Sequence, residues 1–297
     1  MSGWFATPLL VVAAATGLAA AAESRLRPAM ATRTLAVTCV AAAAAWLWTL
    51  LALVLASLAA MGGDARWMSW CPNLYFADDH VPLIAGVGAG VALVASAAFA
   101  LRRLTDAISD RRMLPECGPS GVLVLNCDEP TAFAVPGRRG GVVVSRGLID
   151  ALEVEERSIV WAHERAHLRH RHHWYLGAAD LAAAVLPVLR PLARRVHLGT
   201  ERWADEDSVP ATGDRRLVAR TIAKAALATS DHQQMRMAMA TSAVPARVEA
   251  LISPSRSDLG TVVGAMVAGT LAALTVGGST IQLHHLVALV EHVCGGR

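Results

Sequence analysis

The sequence predicts a mostly α-helical chain in which multi-pass transmembrane helices carry a cytoplasmic α+β domain with a small sheet. Three observations predict it. The 297 residues are 54% hydrophobic and only 17% charged, with a mean hydropathy of +0.42. That is too apolar for an ordinary water-soluble domain and points to membrane spans. Four uncharged stretches, 3–22, 34–61, 83–101 and 259–283, each approach or exceed the roughly 20 residues that cross a hydrocarbon core. Between the third and the fourth, short β-branched runs give way to helical periodicity.

The elements follow in order. Residues 1–103 hold three spans, residues 104–256 form the cytoplasmic domain, and residues 257–297 hold the last span and a short outer tail. The first stretch lacks a basic leader and is followed at once by another long span, so it reads as an anchor rather than a cleaved signal. Arg25, Arg27 and Arg33 lie in the first loop and Arg102, Arg103, Arg111 and Arg112 follow the third span. The second loop has only Arg66 against Asp64, Asp78 and Asp79. The positive-inside rule therefore places both termini outside and residues 102–258 inside, in a multi-pass protein of the cell membrane. Trp67, Trp70 and Trp174 are expected interface anchors. The net charge of +3 is spread over the loops and gives no patch for nucleic acid.

Within the cytoplasmic part, Gly121–Asn126 and Gly141–Ser145 read as strands, and Thr131–Gly137 as an extended segment ending in a Pro-Gly turn. These segments form either a plain structural hairpin or an edge that pairs with an extended peptide; Thr131, Ala132 and Phe133 are the candidate pairing residues. Glu153, Glu155 and Glu156 then mark a helix N-terminus, and Ile159, Val160, His163, Ala166 and His167 recur at helical spacing.

That helix carries His163-Glu164-Arg165-Ala166-His167. Residues four apart share one helix face, so both imidazoles can reach a single metal, while Glu164, offset by about 100°, can reach a water there. Arg165 points the opposite way. Downstream, Thr200-Glu201-Arg202-Trp203-Ala204-Asp205 contains Glu-x-x-x-Asp at one helical turn. Glu201 would complete a His, His, Glu set and leave a fourth position for water; Asp205 would accept the free N–H of a ligand imidazole. The competing reading is a solvated acidic face with Glu206 and Asp207. His173 is a rival ligand, but on an unbroken helix it lies about 9 Å further along the axis than His167, and position 170 is His where a chain-reversing Gly would be needed. His170, His172 and His173, with Arg169 and Arg171, read as a polar or lipid-headgroup-facing surface.

Leu176–Leu189 is a shorter apolar stretch containing Asp180 and Pro187. A single crossing here would separate Glu201 from the two histidines. Residues 168–200 are too few for a double crossing, which needs about 40 residues and a turn. The segment is expected to be a buried or interfacial helix that returns on the same side. Cys39 lies in a span, Cys117 and Cys127 are expected to be reduced, and Cys71 and Cys294 share the outer side. No Cys-x-x-Cys is present, so thiolates do not hold the metal.

Thr131-Ala-Phe-Ala-Val-Pro-Gly137, Val142-Val-Val-Ser-Arg-Gly-Leu148, the His163–His167 motif, Glu201-x-x-x-Asp205 and Pro245-Ala-Arg247-Val-x-x-Leu251, in that order, resemble the HtpX and CAAX-type membrane zinc peptidases. The layout of three spans, a cytoplasmic zinc domain and one last span more closely resembles the BlaR/MecR antirepressor peptidases. The resemblance covers roughly residues 115–255. It implies a zincin-type fold, one Zn2+ per chain held by His163, His167 and Glu201, and Glu164 as catalytic base. Thr131 stands where the HtpX relatives usually have Asn. Ser242, Ala243 and Val244 stand where the family has a His. No penicillin-binding sensor follows the last span, so a β-lactam-sensing role is not carried over. Arg247 is a candidate to stabilise an oxyanion, or else a structural partner of an acidic residue such as Asp205.

The expected activity is zinc-assisted hydrolysis of peptide bonds in a protein or peptide substrate, a cytoplasmic transcriptional repressor among the candidates, by an enzyme embedded in the lipid bilayer. A regulatory, antirepressor-type role and membrane quality control both fit. The alternative is a non-catalytic membrane signalling adaptor with a degenerate protease fold.

Overall fold

A computed structural model describes residues 17, 26–61, 83–230 and 238–252. The expected first span apart from residue 17, the last span, the loop carrying Trp67, Trp70 and Cys71, and Arg256 and Cys294 lie outside the described residues.

Two long helices come first: α1, Pro28–Met61, and α2, Leu83–Met113. Both are long and apolar enough to cross a membrane. Each extends beyond its uncharged stretch. Pro28 sits in the first turn of α1, where its missing N–H costs nothing. Residues 102–113 of α2 contain good helix formers and meet no breaker before Pro115. Along α2, Ile84, Val87, Val91 and Val94 are exposed.

Three short strands follow: β1, Val122–Leu125; β2, Ala132–Val135; β3, Gly141–Ser145. Their order is β1-β3-β2, with β1 parallel and β2 antiparallel to β3. The β-branched β3 is the central, buried strand. The segment ending in the Pro-Gly turn thus becomes an edge strand, β2. Cys117, Val135 and Val143 form the core on one sheet face.

Six helices complete the described chain: α3, Arg146–Ala151; α4, Val154–Arg169; α5, His172–Val185; α6, Arg190–Ser208; α7, Arg215–Ser230; and α8, Ala238–Ile252. A 3₁₀ turn over Pro187–Leu189 joins α5 to α6, so the stretch Leu176–Leu189 turns back on itself, and α6 returns to pack against α4. Both α5 and α6 pack on α1. Ala179, Ala182, Ala183 and Val196 meet Leu35, Ala36, Cys39 and Ala42 in one buried cluster. Small residues let these backbones approach closely. One close approach is at Gly199, where a Cβ would lie 2.5 Å from Thr32 Oγ1. A second cluster, Ile159 with Val218, Ala219, Ile222 and Leu251, fastens α7 and α8 to α4.

Candidate metal centre

Local sequence sets α4 in place. Glu153 is its N-cap, and the Glu153 N–H donates to Glu156 Oε2 at 2.9 Å in a reciprocal capping box. Lys224 Nζ on α7 reaches the same carboxylate at 2.6 Å. The preceding turn is fixed by Ser145, whose Oγ accepts from Leu148 N at 3.1 Å and from Thr131 N at 2.9 Å. The capping network therefore ties the start of β2 to the helices that follow β3.

His163, Glu164 and His167 face inward from α4, and Arg165 is exposed. The Nε2 atoms of His163 and His167 converge to 3.2 Å. Glu201, from α6, brings Oε2 to 3.5 Å from His163 Nε2 and Oε1 to 3.5 Å from His167 Nε2. The three ligand atoms lie within 4.8 Å of one another, and no other such group occurs among the described residues. His173 is not part of it. A His, His, Glu donor set with one open side is the kind that binds a catalytic divalent zinc.

The other ring nitrogens are held from outside. His163 Nδ1 lies 3.0 Å from Asp205 Oδ1, an ion-pair contact rather than a straight hydrogen bond. Asp205 is 1% exposed and is gripped in turn by Arg247. Arg247 Nη1 also lies 3.1 Å from Glu201 Oε2. All three guanidinium nitrogens of Arg247 thus meet carboxylates, while the side chain also lines a cavity at the site.

His172 corrects the sequence reading. The stretch His170–His173 was expected to form a polar or lipid-facing surface, yet His172 is fully buried and His170 only partly exposed. The cause is Arg171, whose φ of 53° places it in the left-handed region. This residue ends α4 and starts α5 in a new direction, so His172 folds under the metal site instead of continuing along one helix. Its Nδ1 lies 3.0 Å from His167 Nδ1. For His167 Nε2 to offer a lone pair to a metal, its Nδ1 must carry the proton and donate to His172. Burial, reinforced by the neighbouring His167 and His170, pushes His172 down to about 3 and keeps it neutral, so that in its Nε2–H tautomer its Nδ1 can accept. His170 pairs with Asp207 and packs 4.4 Å from the Trp203 ring. Nothing in the linear pattern distinguishes His172 from its neighbours; only the left-handed turn does.

The site opens into two cavities. One, of about 360 Å³, runs between β2, through Ala132, Phe133, Ala134 and Pro136, and His173 and Leu176 of α5. The other, of about 330 Å³, has a more apolar wall that includes Ile159, Val160, Ile222 and Val244, with Arg247 beside them. His163, Glu164 and Glu201 line both. The structure therefore places Ala132 and Phe133 on the cleft. Thr131 instead spends its backbone on Ser145 through both N–H and C=O.

Electrostatics fit a cation at the centre of this group. Burial opposes charging His163, but the carboxylates of Asp205 and Glu201 outweigh it and raise it to about 10. Glu201 is held well below the usual carboxylate range despite burial, by His163, Arg247 and His167. His167 is pushed down to about 4 by burial. A divalent ion where the three donors meet would supply the positive charge that the Glu201 and Asp205 carboxylates favour. Burial raises Glu164, while His163, Arg247 and the backbone N–H of Ala134 work in the other direction.

A profile described as Peptidase family M48 matches residues 99–251, just over half of the chain. The match spans α3 to α7 completely, all three strands and every residue of the group above. No solved structure matches.

Proposed function

The chain belongs to peptidase family M48, and from that premise we propose that it is an integral-membrane zinc metalloendopeptidase acting on protein substrates at the cytoplasmic membrane face. M48 peptidases are zinc-dependent. The observation that carries the proposal is the convergence of His163, His167 and Glu201 beside Glu164, in a cleft whose wall is an edge strand. Two helices able to cross a membrane support the location.

Zinc held there supplies Lewis acidity, polarising a carbonyl and lowering the pKa of water toward about 7. The chain supplies the rest. The edge of β2 is available to pair with an extended substrate, laying its backbone across the cleft with side chains toward the two cavities. Glu164 takes the proton of the attacking water on its carboxylate and passes it to the departing amine. The raised affinity of Glu164 for a proton, caused by burial, suits both halves of that transfer. With an ion bound, Asp205 and His172 would face the Nδ1 atoms of His163 and His167 and leave both Nε2 lone pairs for the metal. Arg247 neutralises the two acidic side chains beside the site.

A cytoplasmic repressor, cleaved in an antirepressor-type response, and damaged membrane proteins are the two substrate classes this position suits. Glu164→Gln keeps size and removes the base. Its zinc content should equal that of the wild type, and cleavage should fall by at least about 100-fold, the lower range for a positioned general base. Proteomics of membrane and cytoplasmic fractions should then show substrate fragments in the wild type alone. A Gln variant that complements a deletion strain fully, with no protein cleaved only in the wild type, would establish the non-catalytic adaptor instead.

A further inference from the structure

A third cavity, of about 360 Å³, lies away from the metal centre at the junction of α2, α5 and α6. Its wall carries Arg103, Arg190, Arg194 and His197 around one carboxylate, Asp180. That carboxylate is already used on both oxygens: Arg103 Nη2 donates to Oδ2 at 2.7 Å, and His197 Nε2 lies 2.9 Å from Oδ1. Arg190 and Arg194 have no acidic partner among the described residues, and both are exposed. They stand one helical turn apart, so both guanidinium groups can point to the same place. Ala183, Ala184 and Ala193 form the floor, leaving open apolar space between the cations.

The position of this cavity along α2 is fixed by two contacts. Ser96 Oγ donates to Val185 O at 3.0 Å, which sets the tip of the α5–α6 hairpin within the apolar run that ends at Leu101. Arg103, seven residues further along α2 and so about 10 Å away, holds Asp180 below that tip. The cluster therefore straddles the end of the apolar run, where the headgroups of a bilayer begin. Unpaired arginines over an apolar floor, at that depth, match a phosphate diester with its glycerol and acyl chains attached.

We propose that this cavity is a binding site for the phosphate of an anionic phospholipid, gripped by Arg190 and Arg194. The site rests on the reading of α2 as a membrane span but is independent of the peptidase reading. The lipid would bear on α6, the helix that carries Glu201 and Asp205 further along.

The test uses the full chain in zwitterionic nanodiscs and in detergent, titrated with phosphatidylglycerol or phosphatidylcholine and read by native mass spectrometry and thermal shift. Wild type should bind phosphatidylglycerol at least about tenfold more tightly than phosphatidylcholine, and be stabilised by it. Arg190→Gln/Arg194→Gln should lose that preference while reaching the membrane with normal zinc. Arg190→Lys/Arg194→Lys should keep part of it, and Arg138→Gln/Arg216→Gln, which removes equal charge elsewhere, should keep all of it. Equal binding of the two lipids by wild type, an unchanged preference in the Gln variant, or full displacement by millimolar inorganic phosphate would overturn the site alone. Release of the protein from membranes by alkaline carbonate would overturn the span, and the site with it.

Discussion

Arg247 holds Asp205 through two parallel bonds, Nε to Oδ2 at 2.8 Å and Nη2 to Oδ1 at 2.7 Å. The fork fixes the plane of a carboxylate that is otherwise completely enclosed, and that plane decides where the ring of His163 can point. An arginine near the C-terminal end of the domain, on α8, thus orients a metal-ligand candidate on α4 through a residue of α6. The arrangement also explains why three helices distant in sequence must assemble before the centre exists.

Removing one member of this pair should cost more than removing both. Arg247→Met leaves Asp205 buried without its partner, an effect on the order of 3–5 kcal/mol. Arg247→Met combined with Asp205→Asn should recover part of that loss in denaturant unfolding, yet still bind zinc about 10–100-fold more weakly, because Asn no longer accepts from His163 as a charge. The pair also has a pH signature. Burial would raise Asp205, but Arg247 and His163 outweigh it and lower its pKa. A lowered carboxyl contributes its full stability above the ordinary range near 4 and loses it as the pH falls below that toward the folded value. The wild type should lose stability on acidification below about pH 4, and the double variant should show a flatter acid limb.

The ligand set is testable by metal content. The purified protein should hold about one zinc per chain, and His163→Ala or Glu201→Ala should lose most of it. His173→Ala should keep it. Full zinc in Glu201→Ala, with loss in His173→Ala, would transfer the third ligand to α5.

His172 should act through His167. His172→Phe keeps a ring of similar size and removes the acceptor, so chelator competition should register a zinc affinity about 10–100-fold weaker. His172→Asn, which can still accept from His167 Nδ1, should recover part of it. An unchanged affinity in the Phe variant would leave His172 as packing only.

Topology is expected from the arginine distribution. Reporter fusions after Arg112, Arg194 and Arg256 should all read cytoplasm, and fusions near Asp78 and at Arg297 should read the outer side. An outer reading after Arg194 would make Leu176–Leu189 a true crossing and set Glu201 apart from both histidines.

Much of the architecture around the metal centre is legible in the chain because it depends on local periodicity. His163 and His167 share a face by spacing alone, the Glu153–Glu156 cap is written in adjacent residues, and the runs around Val122 and Val142 can be little but strands. The α5–α6 turn-back follows from counting residues between the two halves of the ligand set. What escapes is tertiary. His172 is buried because Arg171 adopts a left-handed conformation that a non-glycine seldom takes, and the run of seven basic or aromatic side chains from Arg169 to Tyr175 gives no sign of it. Asp205 reads as the first of three acidic residues in a row, Asp205, Glu206 and Asp207; its enclosure depends on α8 arriving with Arg247. The length of α2 beyond Leu101 escapes because polarity, not helicity, changes there.

Composition divides the chain near residue 103, but packing does not. Gly199 rests on Thr32, and the Arg33 guanidinium covers the Trp203 ring at 4.9 Å from its centre, so α1 touches α6 on both sides of Glu201. A fragment starting at residue 104 would retain all three candidate ligands and lose the surface that Leu192, Ala193 and Val196 are buried against. Such a fragment cannot be expected to behave as a soluble catalytic core. Excising the polar half for crystallisation or assay would strip one wall from the very helix that brings in the carboxylate, and biochemistry on this protein has to begin with the first described helix attached.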